Sequence, residues 1–410
     1  AVRGVTPDLR RVGPGMVFVA LPSARAGATF EAACTALDRG AEAVVCSLPG
    51  LAVPRCVAVP DPQRALARAA RAFHGGSLPS PVRLIAVEGE APQRSAVAWF
   101  LGGLLDPAAL FSSLGCQLGA RRIPAEWGAL DPFEFGRWLA DWGRSGGREA
   151  VVECSPELAA AGTLVETPPA VRVAAGRQPG RVRVVRASRR GSILEIHSPG
   201  LVWRGTTALL GGGQVEALDA ALEAALQLGQ EPRRVWARIP GLARPPGWLE
   251  AVEAGQPFPV LVDAAGSGPE LAAHLPALDG RVPGRLHLVV GARGGVAAEE
   301  RRQLGERAAA AVRRQGGNLW VTLDDPGTAE PARLLADVLA GTGEAGARVV
   351  ADRERAIGEA VRAAGGDDVV VLAGKGRRPG QRVGETLVPW SDRAAAWRAL
   401  AGRGYPGDFE

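Results

Sequence analysis

From Pro259 to Gly374 the chain alternates short apolar runs with Ala- and Arg-rich stretches of helical period. PVLVDAA (259–265) is followed by a helix near 269–276, then RLHLVVG (285–291), AEERRQLGERAAAAVRRQG (298–316) and NLWVTLDD (318–325). PARLLADVLAG (331–341), ARVVAD (347–352), RERAIGEAVRAAG (353–365) and DDVVVLAG (367–374) complete the series. Strands that are apolar along their whole length need cover on both faces, and the intervening helices supply it. The pattern therefore predicts a parallel, doubly wound α/β sheet.

Earlier stretches repeat the alternation less regularly. MVFVAL (16–21) and AEAVVCS (41–47) have strand composition, and FEAACTALDRG (30–40) and PDPQRALARAARAFHGG (60–76) have helical spacing. The turn-rich SLPSP (77–81) reads as a linker. Beyond it come a strand at 83–89, helices at 94–105 and 131–143, a strand at 148–154, a hairpin at 181–198 and a helix at 214–229. The run 166–181 is turn-rich and reads as a shortened connection. A length of 410 residues suits two to four domains. The expected division is 1–82, 83–246 and 247–410.

Composition adds one chemical constraint. Of 48 basic residues 47 are arginine, and Lys375 is the single lysine. Any site that needs a lysine elsewhere is excluded. The arginines are spread along the chain and matched by nearby acids, which argues against nucleic-acid binding. No apolar run reaches the ~18 residues of a membrane span. The start, AVRGVTPDLRRVGPG, has no apolar core of a signal peptide. Five scattered cysteines without a C-x-x-C pair argue against a disulfide framework or a zinc site. These features together predict a reduced, cytoplasmic protein. His74, His197, His274 and His287 are far apart in sequence and read as structural or exposed.

Several motifs, in order along nearly the whole chain, carry a resemblance. Asp8-Leu9-Arg10-Arg11-Val12-Gly13-Pro14-Gly15 runs into Met16-Val17-Phe18-Val19-Ala20-Leu21; Pro246-Gly247-Trp248-Leu249-Glu250 precedes Gly255-Gln256-Pro257-Phe258. Val262-Asp263-Ala264-Ala265, Val321-Thr322-Leu323-Asp324-Asp325-Pro326-Gly327, Asp352-Arg353 with Ala356-Ile357, and Ala373-Gly374-Lys375-Gly376 follow. In these segments the chain resembles the Mur ligases of peptidoglycan synthesis, most closely the UDP-N-acetylmuramoyl-tripeptide synthetase (MurE) type. The resemblance implies three α/β domains: an N-terminal UDP-precursor-binding-like domain, a central P-loop-ATPase-like domain and a C-terminal Rossmann-like domain. It also implies ATP, Mg²⁺, and amine attack on an acyl phosphate.

Against that family the sites look degenerate. Where G-T-N-G-K-T-T is expected stands Gly89-Glu90-Ala91-Pro92-Gln93-Arg94-Ser95. A phosphate cradle needs glycine N–H groups, a lysine and a metal-binding hydroxyl. Pro92 offers no N–H, Gln93 replaces the cation, and Glu88 and Glu90 are negative. Arg94 is not equivalent to a lysine there, and Ser95 alone is a tolerable remnant. Glu153 reads as a weak metal remnant or a lone acid at a strand end, and the family's metal segment after it is missing. Gly327 replaces the arginine that in the family recognises the amino-acid substrate, and Arg377-Arg378 replaces His-Glu. Asp8, Arg10, Arg11, Arg301, Asp324, Asp325 and Lys375 remain as ligand-binding candidates.

The expectation is thus a Mur ligase-like pseudoenzyme without catalytic residues, cofactor or metal, acting as a scaffold or regulator in cell-wall synthesis. Its implied partners are an active Mur ligase or another cell-wall protein, and a UDP-MurNAc-peptide. The alternative is a divergent ATP- and Mg²⁺-dependent ligase that uses Arg94, Arg293 and Arg301 for phosphate. A third reading is a pure binding module for UDP-linked sugars.

Overall fold

Among the described residues, valine-rich strands of two to eight residues form five sheets. The computed structural model describes residues 2–22, 27–47, 55–74, 82–90, 92–105, 107–123, 131–176, 180–188, 190–198, 200–343, 346–378 and 380–405. The expected linker at 77–81 and Ala91 lie outside the described residues, as does the side chain of Glu157. Two compact units result: 1–177 with 220–231, and 178–219 with 232–410.

The first unit holds two sheets. One is parallel and four-stranded, in the order Gly4–Thr6, Met16–Val19, Ala43–Cys46, Cys56–Ala58, with helices Ala28–Asp38 and Pro62–Phe73. The other has six strands in the order Val171–Ala174, Arg83–Glu88, Glu149–Glu153, Ala109–Ser112, Gly115–Leu118, Arg121–Ile123. Its first four strands are parallel, and the last two join through antiparallel pairings. Helix Pro132–Arg144 covers it with Phe135, Trp138, Leu139 and Trp142, which pack with Phe111 and Val152. Val171–Ala174 falls inside the run read as a shortened connection. It pairs in register with Ile85–Glu88 at the sheet edge, so the shortened connection is partly strand.

The second unit holds a three-stranded antiparallel sheet (Val182–Ser188, Gly191–Ser198, Leu201–Thr207) and the doubly wound sheet expected from sequence. The latter runs Glu250–Val252, Val260–Asp263, Val369–Ala373, Leu286–Arg293, Gly317–Asp324, Arg348–Val349, parallel throughout except for its first strand. Val369–Ala373 is fully buried at the centre, which explains its unbroken apolar sequence. A two-stranded ribbon, Gly380–Val383 with Thr386–Pro389, follows. Helix starts are sharply defined. Asp352 accepts from the Arg355 N–H at 2.8 Å, and Ser267 with Glu270 forms a capping box. Among the described residues no helix is long and apolar enough to cross a membrane.

Candidate functional site

Strand Arg83–Glu88 ends at Gly89, whose φ of +133° suits glycine, and the chain re-enters helix at Gln93 behind Pro92. Pro92 provides no side-chain cap. Arg94, on the first turn, points inward. Its Nε donates to Glu153 Oε1 at 3.1 Å and its Nη1 to the Gly89 carbonyl at 2.8 Å. Ser95 Oγ donates to the same Oε1 at 2.7 Å. On the other carboxylate oxygen, Ser112 Oγ and Ser113 Oγ each donate at 2.8 Å and the Ser113 N–H at 2.9 Å. Glu153 therefore lies at a strand end as expected, but it is not a lone acid.

Burial pushes the Glu153 carboxyl upward, and the donors from Ser95, Ser113 and Ser112 more than reverse this, so it stays ionised below the usual range. A carboxylate has about four lone-pair sites. Those of Glu153 are taken by five donors, one of them a guanidinium. Beside it Glu88 pairs with Arg172, and the buried Gln93 amide nitrogen has no partner among the described residues. The Mg²⁺ and phosphate that the resemblance implies do not fit these residues. A cation would have to displace Arg94 from Glu153, and the loop offers neither a lysine nor an N–H at 92. Among the described residues no three His, Cys, Asp or Glu side chains are grouped to hold a metal.

A second constellation lies at the carboxyl ends of the doubly wound sheet, where such folds bind ligands. Asp324 closes strand Gly317–Asp324, and Asp325 turns the chain at φ +46°, a left-handed conformation open to Asp. Lys375 follows strand Val369–Ala373 and is wholly buried. Its Nζ is 2.9 Å from Asp324 Oδ1 and 3.0 Å from Asp325 Oδ1, and it donates to the Gly380 carbonyl at 2.8 Å. Arg378 bridges both acids at 2.6 Å each. Arg353 clamps Asp392 with two bonds of 2.7 and 2.6 Å and reaches the Ala373 carbonyl. For Asp324, burial raises the pKa, but Arg353, Arg378 and Lys375 together hold it below the usual range. Arg378, which in sequence looks like a charge reversal, completes a cluster with Lys375 and the two aspartates.

Other candidates are engaged locally. Asp8 caps the short helix Leu9–Arg11 and pairs with exposed Arg10 at 2.8 Å. Arg11 reaches Glu134 at 2.7 Å. Arg301 is held by Asp337 at 2.8 Å and by the carbonyls of Arg293 and Val296, tying the 293–296 turn to helix Pro331–Thr342. His274 sits buried against Asp263 at 2.8 Å under the Trp248 ring, and His287 bonds Asp368. Sequence reasoning missed Asp392 and Arg382. Asp392 could have been suspected as the buried counter-ion that Arg353 requires.

A cleft of about 580 Å³ opens beside this cluster, between the 293–295 turn, the 325–329 turn and the 380–387 ribbon. Its charged lining is Arg293, Asp325, Arg378, Arg382 and Glu385.

Residues 249–376 match the family described as Mur ligase, glutamate ligase domain. Over 477 residues the chain is 28% identical to a UDP-N-acetylmuramoyl-L-alanyl-D-glutamate–2,6-diaminopimelate ligase of Rhizobium meliloti (strain 1021), covering 98% of this chain and 94% of that protein. A ligase of the same name from Corynebacterium efficiens is 34% identical over 203 residues, 48% of this chain and 38% of that protein. A solved structure of such a ligase covers 98% of this chain and 95% of its own, with a TM-score of 0.58 and 22% identity. The MurF ligase of Thermotoga maritima in complex with ADP gives a TM-score of 0.59 at 16% identity, covering 98% of this chain and 96% of its own. These last two likenesses speak to fold.

Proposed function

We propose that this chain, whose residues 249–376 match a Mur ligase domain and whose three-domain α/β architecture is that of the Mur ligases, is a member of that family and serves peptidoglycan synthesis as a ligase-like scaffold or precursor-binding protein of the MurE type. In this reading it does not turn over ATP at the 89–95 loop. The observation that carries it is the Arg94–Glu153 pair. The carboxylate best placed for a metal is saturated by a guanidinium and by hydroxyl and backbone donors. With this reading goes the division 1–82, 83–246 and 247–410, although 178–219 and 232–246 pack with the second unit.

The second reading is a divergent ATP-dependent amino-acid ligase, and the comparisons weigh on its side. Two relatives that span the chain are named ligases, and one neighbour in fold was solved with ADP. Of its proposed phosphate-binding arginines, Arg94 is committed to Glu153 and Arg301 to Asp337, which leaves Arg293. Phosphate release separates the two. The purified chain with Mg²⁺-ATP, UDP-MurNAc-L-Ala-D-Glu and diaminopimelate should release no phosphate above the rate without acceptor. Release that requires both substrates establishes the ligase reading.

A further inference from the structure

Cys46 ends strand Ala43–Cys46, and Cys56 begins the next strand of the same parallel sheet, Cys56–Ala58. The register sets Val44 beside Cys56 and Cys46 beside Ala58. Residues two apart on a strand share a face, so the two cysteines sit diagonally on one face of the sheet. Cys46 packs in the core with Phe18, Ala33, Ala36 and Val44, and Cys56 lies against that cluster. Their sulfurs are 3.3 Å apart, and neither is in a disulfide. Sequence spacing hides this pair, because strand pairing is what brings it together.

A disulfide needs its sulfurs about 2.0 Å apart. The two thiols, already in contact, are short of that by about 1 Å. Cys56–Ala58 is the outermost strand of its sheet and three residues long, so it gives way more readily than a central strand. Backbone bonds hold the register on either side: Val44 N–H to the Arg55 carbonyl at 2.9 Å and Val59 N–H to the Cys46 carbonyl at 2.8 Å. Cys46 is fully buried and Cys56 half-buried, so a small oxidant meets Cys56 first. Burial and the bond to the Cys46 sulfur push the Cys56 thiol up to about 11. Little thiolate is present at neutral pH, and the pair stays reduced until an oxidant persists.

We propose that Cys46 and Cys56 form a site of oxidative modification, at which a hydroperoxide converts the thiol pair into a disulfide that staples the edge strand to its sheet. With hydrogen peroxide, Cys56 Sγ attacks one oxygen, the O–O bond breaks, and Cys56 becomes a sulfenic acid as one water leaves. Cys46 Sγ then attacks the Cys56 sulfur. The S–S bond forms, the S–O bond breaks, and a second water leaves. Two thiols are oxidised and one peroxide is reduced. The bond closes residues 47–55 into a loop, a constraint that acts chiefly on the unfolded chain and favours the folded first sheet.

Peptide mapping of the full chain after excess hydrogen peroxide at pH 8.5 and alkylation tests the assignment. Trypsin cuts after Arg39, Arg55 and Arg64, which puts Cys46 in peptide 40–55 and Cys56 in peptide 56–64. The expected product is these two peptides joined, released by dithiothreitol. The join should be lost in Cys56→Ser and retained in Cys34→Ser. Cys46→Ser provides a second arm should Cys56→Ser fail to fold. Recovery of both peptides as alkylated thiols overturns the proposal. So does a Cys56 sulfinic acid without the join, or a disulfide from either cysteine to Cys34, Cys116 or Cys154 in its place.

Discussion

Arg94 and Glu153, fifty-nine residues apart, form a buried ion pair with Nη2 3.1 Å from Oε1, in which the guanidinium also holds the Gly89 carbonyl. Removing one partner of such a pair strands a charge in a low-dielectric site. Replacing both with apolar groups strands no charge, although the Ser95, Ser112 and Ser113 donors lose their acceptor. Arg94→Ala should therefore lower unfolding stability by about 3–5 kcal/mol, and Arg94→Met with Glu153→Leu by less than the sum of the single changes. Guanidinium chloride unfolding of the three variants reads this. An Arg94→Ala protein within about 1 kcal/mol of wild type would mean the pair is not the brace described.

Glu153 and Asp324 both have depressed folded-state pKa values, each despite burial. Such groups contribute stability that is fully present above the unfolded carboxylate pKa and is lost as pH falls through the folded value. Stability should thus drop with acidification below about pH 4. Glu153→Gln should start less stable at pH 7 and lose less between pH 5 and 3. Melting temperature across that interval checks the sign, and a steeper loss in the variant contradicts it.

Much of this fold is legible because its strands are buried on both faces. Val369–Ala373 and Leu286–Arg293 announce themselves as unbroken apolar runs, and the Pro, Ser and Asp starts mark the helices. Edge elements carry weaker signals. Val171–Ala174 alternates half-buried and exposed positions among turn residues, and the 380–389 ribbon is largely exposed, so neither shows as a strand in sequence. The site divides in the same way. Pro92, Gln93 and the missing lysine are local substitutions and can be read in sequence. The pairing of Arg94 with Glu153, or of Arg353 with Asp392, depends on which strands become neighbours, and spacing along the chain does not encode that.

Lys375 has no exposed surface and is held by Asp324, Asp325 and the Gly380 carbonyl. Amine-reactive labelling followed by peptide mass mapping should leave it unmodified in the native protein and modified in denaturant. Lys375→Met should destabilise by about 3 kcal/mol or more, because buried Asp324 and partly buried Asp325 lose a cation. Rapid native labelling of Lys375 would place it in solvent, against the structure.

Helices Ala298–Gln315 and Pro331–Thr342 approach through two glycines. A Cβ on Gly305 would lie 2.0 Å from the Val338 carbonyl oxygen, and one on Gly341 would lie 1.9 Å from that of Arg302. Alanine gains about 1 kcal/mol of helix propensity. Backbone contact this close leaves no room for it, so Gly305→Ala should instead destabilise by about 1–3 kcal/mol. A raised melting temperature would show that the helices can part without penalty.

Mg²⁺-ATP titration of the wild-type chain by calorimetry, beside Arg94→Ala, bears most directly on the closed 89–95 loop. The expected result is no saturable heat in wild type up to millimolar nucleotide. Micromolar binding to the wild-type protein, abolished in a Glu153→Gln variant, would show that Arg94 yields its place to the metal and would contradict the scaffold reading.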